Sequence, residues 1–248
     1  MTASGWALFL IRPAWFPLAI SSAGLDWDQQ FMRTLWISGV IFTAAQTALA
    51  WAILRRRKAG VSVQRPEPGW MEFAWTGATA VLFLAMAVTG SRGWASVPNR
   101  ERQVETIEVY AHQFAWNFRY PGPDGRFGRT LIDQISDSGG NPMGIDPRDV
   151  RGRDDITTAT LRIPTGRTVL LVLHSRDVIH DFFVRELRTK QDVVPGMEIP
   201  LEIRVDQAGE YEIACAELCG LGHSQMRSLL IAMPPAEYDR WKAAAATQ

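Results

Sequence analysis

The sequence predicts two membrane-spanning helices followed by an all-β domain built as a sandwich or Greek-key barrel. Three observations lead to this prediction: two uncharged apolar segments near the N-terminus, short alternating runs separated by turns in the remainder, and a cluster of soft metal ligands near the C-terminus. The 248 residues include 26 basic and 26 acidic residues, so the net charge gives no indication of nucleic-acid binding.

Two segments have the length and composition of membrane spans. Residues Leu35 to Leu54 carry no charge, and at 1.5 Å per residue they reach about 30 Å, the hydrocarbon thickness of a bilayer. Residues Phe73 to Gly90 form the second span. The alternative is a buried hairpin in the core of a soluble protein. The short link between the spans is strongly basic and contains Arg55, Arg56, Arg57, Lys58 and Arg65. The positive-inside rule therefore places the link in the cytoplasm and both termini outside it.

The segment 1–34 precedes this hairpin, which we assign to residues 35–94. Its apolar patch from Trp6 to Ile11 is too short to cross a bilayer and is followed by Arg12 and Pro13. It lacks a basic start and a small-residue cleavage site, so we do not predict a cleaved signal peptide. We expect 1–34 to lie outside the cytoplasm, at the membrane interface.

Short β-rich runs separated by turns begin near Thr106 and define a domain over residues 95–248. Several short strands at this spacing indicate a sandwich or barrel. A terminal helix is predicted over Ala236 to Ala246, after two prolines. The predicted strands are 107–110, 113–120, 160–163, 168–173, 199–205, 210–214 and 229–233.

One stretch of this domain, at about 121–157, has little periodicity and is rich in Gly, Pro, Asp and Arg. Long irregular segments inside a compact domain usually have a functional role or are mobile. The ligand spacing of an EF-hand is absent. We expect this insertion to lie on the surface and to contact a partner or neighbouring subunit.

The residues from Cys215 to Met226 contain both cysteines of the chain together with His223. Thiolate, thioether and imidazole ligands together suit copper, whereas zinc would gain little from the methionine. A mononuclear blue-copper site needs only one Cys, and here Cys219 follows four residues after the first, so two thiolates could bridge two ions. A disulfide is the alternative for two cysteines.

A second copper ion would require a second imidazole from elsewhere in the chain. His180, 35 positions before Cys215 and at the end of an apolar run, is the best candidate. With this histidine, the sequence resembles subunit II of the haem–copper cytochrome c oxidases. The family pattern Cys-x-Glu-x-Cys-x-x-x-His-x-x-Met is met at every position from Cys215 to Met226. The resemblance extends over nearly the whole chain, including the two spans.

The resemblance implies a cupredoxin barrel that carries CuA, a binuclear copper centre. It implies that Cys215 and Cys219 bridge the two ions. It further implies that His180 and Met226 complete one ion, and that His223 and the backbone carbonyl of Glu217 complete the other. In the family the Glu217 carboxylate also reaches a magnesium ion at the boundary with subunit I.

Two acidic residues outside the copper motif also match family positions. Glu72 begins the second span in a Glu-x-x-Trp-Thr pattern, and the resemblance implies the cytoplasmic mouth of a proton path into subunit I; Thr79 replaces the usual proline. Asp177 is expected to belong to a patch that attracts a basic cytochrome c, although Arg176 beside it reduces the acidity of that patch.

The aromatic run departs from the family pattern. The family shows Gln-Trp-x-Trp, with the first Trp as the point where electrons enter, whereas this chain has Gln113, Phe114, Ala115 and Trp116. The donor is then expected either to dock differently or to use Phe114 or Trp116. No Cys-x-x-Cys-His is present, so we expect the donor to be a separate protein, and the resemblance implies that it is a cytochrome c.

The expected function is therefore electron input to a membrane cytochrome c oxidase, with subunits I and III as partners and O2 reduction coupled to proton translocation. The expected location is the bacterial inner membrane, with the copper domain and both termini on the periplasmic side. Two alternatives are the CuA subunit of a nitric oxide reductase and a membrane-tethered copper carrier. A quinol oxidase subunit is disfavoured because that relative lacks the copper ligands.

Overall fold

The computed structural model describes residues 16–59, 68–95 and 105–246. Two long helices come first: α1 spans Ser22–Ala59 and α2 spans Gly69–Ala95. Both contain the predicted spans and extend beyond them. Helix α1 begins at Ser22 rather than near Leu35 because residues 22–34, although partly charged, contain no proline to interrupt a helix. The apolar patch 6–11 lies outside the described residues.

Both helices are long and apolar enough to cross a membrane, over Ser22–Arg55 and Gly69–Ser91. In their most apolar windows 6% and 0% of the residues are buried within the described chain. A core hairpin of a soluble protein would bury such surface against its own domain. The exposed apolar faces instead suit lipid or other membrane helices.

A β domain follows, and it contains every predicted strand with shifts of a few residues at the ends. Three further strands, β3, β6 and β7, are present: β3 has only three residues, and β6 and β7 lack clear alternation. The strands are β1 Glu105–His112, β2 Ala115–Tyr120, β3 Ile156–Thr158, β4 Leu161–Pro164, β5 Thr168–Ser175, β6 His180–Val184, β7 Thr189–Val193, β8 Ile199–Arg204, β9 Gly209–Cys215 and β10 Arg227–Met233. Helix α3, Pro235–Ala245, ends the domain.

These strands form two five-stranded sheets, in the orders β3-β2-β1-β5-β8 and β4-β10-β9-β6-β7. The pairs β1–β5 and β4–β10 are parallel, and the others are antiparallel. Alternate residues of both sheets, such as Val109 and Leu171 in one and Phe182 and Leu230 in the other, are fully buried. The inward faces therefore pack into one core, as in a sandwich.

The insertion, predicted at about 121–157, ends one or two residues earlier because Ile156 already begins β3. It is held by turns and side chains: two 3-10 turns (Ile132–Gln134 and Val150–Gly152) and two isolated bridges. The fully buried Arg119 fixes its two ends, because its guanidinium donates to the Gly128 carbonyl and pairs with Asp155. Hydrogen bonds of this kind leave no periodic pattern in the sequence, which is why the insertion appears irregular there.

The segment Leu18–Gly24 packs with the β domain. Ile20 is buried in the core, its N–H donates to the Glu186 carbonyl (3.2 Å), and its carbonyl accepts from the Asp206 N–H (2.8 Å). The Ser22 N–H donates to the Asp206 carboxylate at 2.9 Å. This part of the predicted interfacial segment therefore lies against the β domain.

Candidate metal centre

The sheet β4-β10-β9-β6-β7 brings the candidate ligands to one end of the domain. Strand β9 ends at Cys215, strand β6 begins at His180, and the two strands pair in antiparallel register with Phe182 opposite Cys215. The loop between β9 and β10 supplies the remaining candidates. His180 comes close to Cys215 because of strand pairing, although 35 positions separate them.

Three buried side chains form the centre of the site. The Cys215 and Cys219 sulfurs lie 3.8 Å apart, and the Cys215 Sγ lies 3.9 Å from the His180 Nδ1. The three ligand atoms are all within 4.8 Å of one another. A disulfide needs a sulfur–sulfur distance of about 2.05 Å, so both cysteines are free thiols.

The loop adds three donors around the two sulfurs. The Cys219 Sγ lies 3.6 Å from the His223 Nδ1 and 3.8 Å from the buried Met226 Sδ. The Glu217 carbonyl oxygen lies 3.2 Å from the Cys215 Sγ. All six candidates named from the sequence therefore converge on one place.

This donor set fits copper. Two thiolates, two imidazole nitrogens and a thioether are soft or borderline ligands. Copper suits such ligands, whereas magnesium and calcium suit oxygen ligands. Burial and the neighbouring Cys215 raise the pKa of the Cys219 thiol above its ordinary value. A cation bound here must therefore displace a proton from the sulfur, which couples metal binding to pH.

Asp177 orients His180 from outside the ligand set. The His180 Nε2 lies 2.8 Å from the Asp177 Oδ1, so the imidazole donates through Nε2 and leaves Nδ1 facing Cys215. Burial opposes the charged carboxylate, but hydrogen bonds from the Gln113 N–H and His180 outweigh it and lower the pKa of Asp177. The sequence indicated a docking role for Asp177; the structure adds this contact with a ligand.

Gln113 and Phe114 connect the β1–β2 turn to both ligand segments. The Gln113 N–H donates to the Asp177 Oδ2 at 2.8 Å, and its side-chain amide donates to the Cys219 carbonyl. The Phe114 ring lies so close to the loop that a Cβ on Gly222 would come within 2.5 Å of its Cδ2. Close packing of this ring therefore requires a glycine at position 222.

The two candidate aromatics occupy different environments. Phe114 is 38% exposed at the surface of the ligand loop, whereas Trp116 is 2% exposed. The Trp116 ring centroid lies 6.3 Å from that of His180 and 5.7 Å from that of Phe182, with edge-on geometry. Of these two rings, Phe114 is therefore the one open to solvent.

Other candidates lie outside the ligand cluster. The Glu217 side chain is exposed, and Glu72 is exposed in the first turn of α2. The structure also places a carboxylate that we had not singled out, Asp181, beside His180. Burial and the neighbouring Asp192 raise the pKa of Asp181 to about 6, although Lys190 lies 3.3 Å away. In the sequence, the position of Asp181 directly after His180 was the signal that could have identified it.

The fold and the donor set define a class: a membrane-attached protein with a cupredoxin-like metal-binding domain. Residues 105–233 match the family model of the cytochrome c oxidase subunit II periplasmic domain. The chain is 34% identical to the alternative cytochrome c oxidase subunit 2 of Bradyrhizobium diazoefficiens over 97% of this chain and 88% of the relative. It is 28% identical to cytochrome c oxidase subunit 2 of a Synechocystis species over 92% of this chain and 75% of the relative.

Among solved structures, the periplasmic domain of subunit II of cytochrome oxidase of Bradyrhizobium japonicum matches with 23% identity and a TM-score of 0.44, covering 61% of this chain and 97% of that domain. The chain belongs to the cytochrome c oxidase subunit II family. It is a subunit of a haem–copper oxidoreductase complex and a membrane protein with a periplasmic domain. Family membership implies copper at the site formed by His180, Cys215 and Cys219.

Proposed function

We propose that this chain receives electrons from a cytochrome c at a binuclear CuA centre and passes them to the haem of subunit I. Subunit I reduces O2 with coupled proton translocation. The observation that carries the proposal is the pair of buried, unbonded thiols 3.8 Å apart, each with an imidazole Nδ1 within 4 Å. A single-copper site would need only one of these thiols.

In the proposed site, the thiolates of Cys215 and Cys219 would hold both copper ions. By the family resemblance, His180 and Met226 would complete the ligands of one ion, and His223 with the Glu217 carbonyl would complete those of the other. When bound, the copper pair supplies a one-electron carrier whose charge is spread over both ions, so that bond lengths change little on reduction.

The protein's contribution is to hold the donors still. His180 and Cys215 are fixed by paired strands, and Asp177 and Gln113 restrain the ligands from outside. Outer contacts of this kind fix imidazole orientation and are important for metal affinity. Since the sheet cannot deform freely, the site favours rapid electron transfer over ligand exchange.

The remaining partners follow from the exposed groups around the site. The exposed Glu217 carboxylate is available to a magnesium ion at the interface with subunit I. Of the two candidate aromatics, Phe114 is the one exposed to a donor, and Trp116 lies buried next to His180. Asp177 contributes to donor docking only through its partly exposed edge.

We place the protein in the bacterial inner membrane, with both termini on the periplasmic side and subunits I and III as neighbours. The segment Leu18–Gly24, near the N-terminus, packs with the β domain that follows the helices. This packing supports placing both ends of the chain on the same side of the membrane. Glu72, exposed in the first turn of α2, is then at the cytoplasmic side and available to a proton path.

The deciding experiment loads the full detergent-purified chain with copper and measures copper content and the EPR spectrum. Two coppers per chain, with the unpaired electron shared by two nuclei, is the expected result. The Cys219→Ser variant should lose this signal, while Ser224→Ala, an exposed change in the same loop, should keep it. One copper, or zinc in place of copper, would contradict the proposal and favour a tethered metal carrier.

A further inference from the structure

Arg176, next to the carboxylate that orients His180, is attached to the insertion. Its guanidinium contacts both oxygens of Asp137 in a bidentate pair, at 2.8 and 3.0 Å. It also donates to the Pro142 carbonyl at 3.3 Å. Asp137 and Pro142 belong to the insertion, and Arg176 begins the turn that leads from β5 to His180.

His112, at the end of β1, supports the same guanidinium from the other side. The Arg176 Nη2 lies 3.0 Å from the His112 Nδ1, and a guanidinium can only donate, so Nδ1 is the accepting nitrogen. The proton of the neutral ring is then on Nε2, 3.0 Å from the Asn117 Nδ2, so the Asn117 amide must be turned over to bring its oxygen to that proton. His112 is buried, so this arrangement has little freedom to change.

The backbone connects these contacts to the ligand. The Arg176 N–H donates to the Ala111 carbonyl at 3.0 Å, and the Gln113 N–H donates to the Asp177 carboxylate at 2.8 Å. The end of β1 and the residue after it therefore hold Arg176 and Asp177 in place through backbone groups. Asp177 in turn accepts the hydrogen bond from His180.

We propose that Arg176 is a positioning residue that couples the insertion to the metal site. By tying Asp137 and Pro142 to the turn before His180, it keeps Asp177 in place and the imidazole Nδ1 directed at Cys215. The inference rests on the proposed copper function and assigns a role to a part of the chain that the copper motif does not include.

A stability argument would not predict this role. An ion pair with an exposed carboxylate, such as Asp137, typically contributes little to the free energy of unfolding. The Arg176–Asp137 pair matters here because of its geometry. Through Arg176, contacts with Asp137, Pro142 and His112 all converge on the turn before His180. Breaking the pair should loosen the ligand without unfolding the domain.

The test compares Arg176→Met, Asp137→Asn and Asp133→Asn in the full copper-loaded chain. Asp133 is an exposed carboxylate of the same insertion with no ion pair among the described residues, so it is the matched control. We expect Arg176→Met to release copper to a chelator roughly tenfold faster, the lower end of outer-contact effects. The unpaired electron should also be shared less evenly between the two nuclei.

Asp137→Asn should change both readouts in the same direction by a smaller amount, and Asp133→Asn should change neither. Because Asp137 is exposed, its variant can be compared even if Arg176→Met folds poorly. Wild-type release and an unaltered EPR spectrum in Asp137→Asn would overturn the inference. Failure of the wild-type chain to bind two coppers would instead overturn the proposed function.

Discussion

The His180 imidazole donates through Nε2 to the Asp177 carboxylate 2.8 Å away, and this single contact decides which nitrogen faces the cysteines. A neutral imidazole has one proton, so fixing it on Nε2 leaves Nδ1 with a free lone pair 3.9 Å from the Cys215 sulfur. A carboxylate in this position also makes the ring a better electron donor to a metal.

Replacing Asp177 with alanine should therefore weaken copper binding. Loss of an outer hydrogen-bond partner of a ligating histidine typically costs 10- to 100-fold in metal affinity. We expect a decrease in that range for Asp177→Ala, measured by competition with a copper chelator. Glu210→Gln, an exposed change at the start of β9, is the control. Equal affinity in the two variants would show that the strands alone orient His180.

Phe114 and Trp116 can be distinguished by a kinetic experiment. Phe114→Ala should slow reduction of the site by a cytochrome c by roughly tenfold or more, the effect expected from removing an aromatic anchor at an interface. Reduction by a small chemical reductant should be nearly unchanged, because that reaction needs no docking surface. Trp116→Phe alters a buried ring and should leave the apparent affinity for the donor unchanged. A uniform slowing with both reductants would indicate damage to the metal site.

Much of the site could be predicted because its ligands follow local spacing. Cys215, Cys219, His223 and Met226 lie within one short stretch of sequence, and the residue types alone indicated copper. His180 came from the resemblance and from its place after an apolar run. Its own strand was missed, since β6 begins at the ligand itself and contains no clear alternation.

The contacts around the ligands could not be predicted in the same way. Asp177, Gln113 and Arg176 act through a turn and a strand end that approach the ligands only after the sheets form. The insertion appeared irregular because its order depends on buried partners such as Arg119 rather than on periodic apolar residues. Such contacts are properties of the tertiary structure.

Arg119 should be a major determinant of stability. Its side chain is 1% exposed and pairs with the carboxylate of Asp155, whose side chain is also buried, and with Glu108 at 3.0 Å. Arg119→Met would leave the Asp155 carboxylate without its counter-charge, which typically costs about 3–5 kcal/mol. Denaturant unfolding of the copper-free chain measures this loss. Arg167→Met breaks an exposed pair with Asp239 and should cost less than about 1 kcal/mol; similar losses for both would contradict the assignment.

His174 should make the β domain less stable in mild acid. Its ring stacks on Tyr110 with centroids 4.7 Å apart, and burial lowers its pKa below the ordinary 6.5, against the opposing effect of Glu108 and Glu198. Below pH 6.5 the unfolded chain therefore binds more protons at this residue than the folded chain. The free energy of unfolding must then decrease as pH falls from 6.5 toward the folded-state pKa.

His174→Phe keeps a ring for stacking on Tyr110 and removes the titrating nitrogens. We expect the free energy of unfolding of this variant to decline less between pH 7.5 and 5.5 than that of the wild-type chain. Thermal unfolding should be followed with a chelator present, because copper release at low pH would add its own dependence. The buried Nε2 has no hydrogen-bond partner among the described residues, so its removal should not lower stability at pH 7.5. Parallel pH profiles would show that His174 is not the group that titrates on unfolding, and His112, whose pKa is also lowered by burial and by Arg176, would be the next to replace.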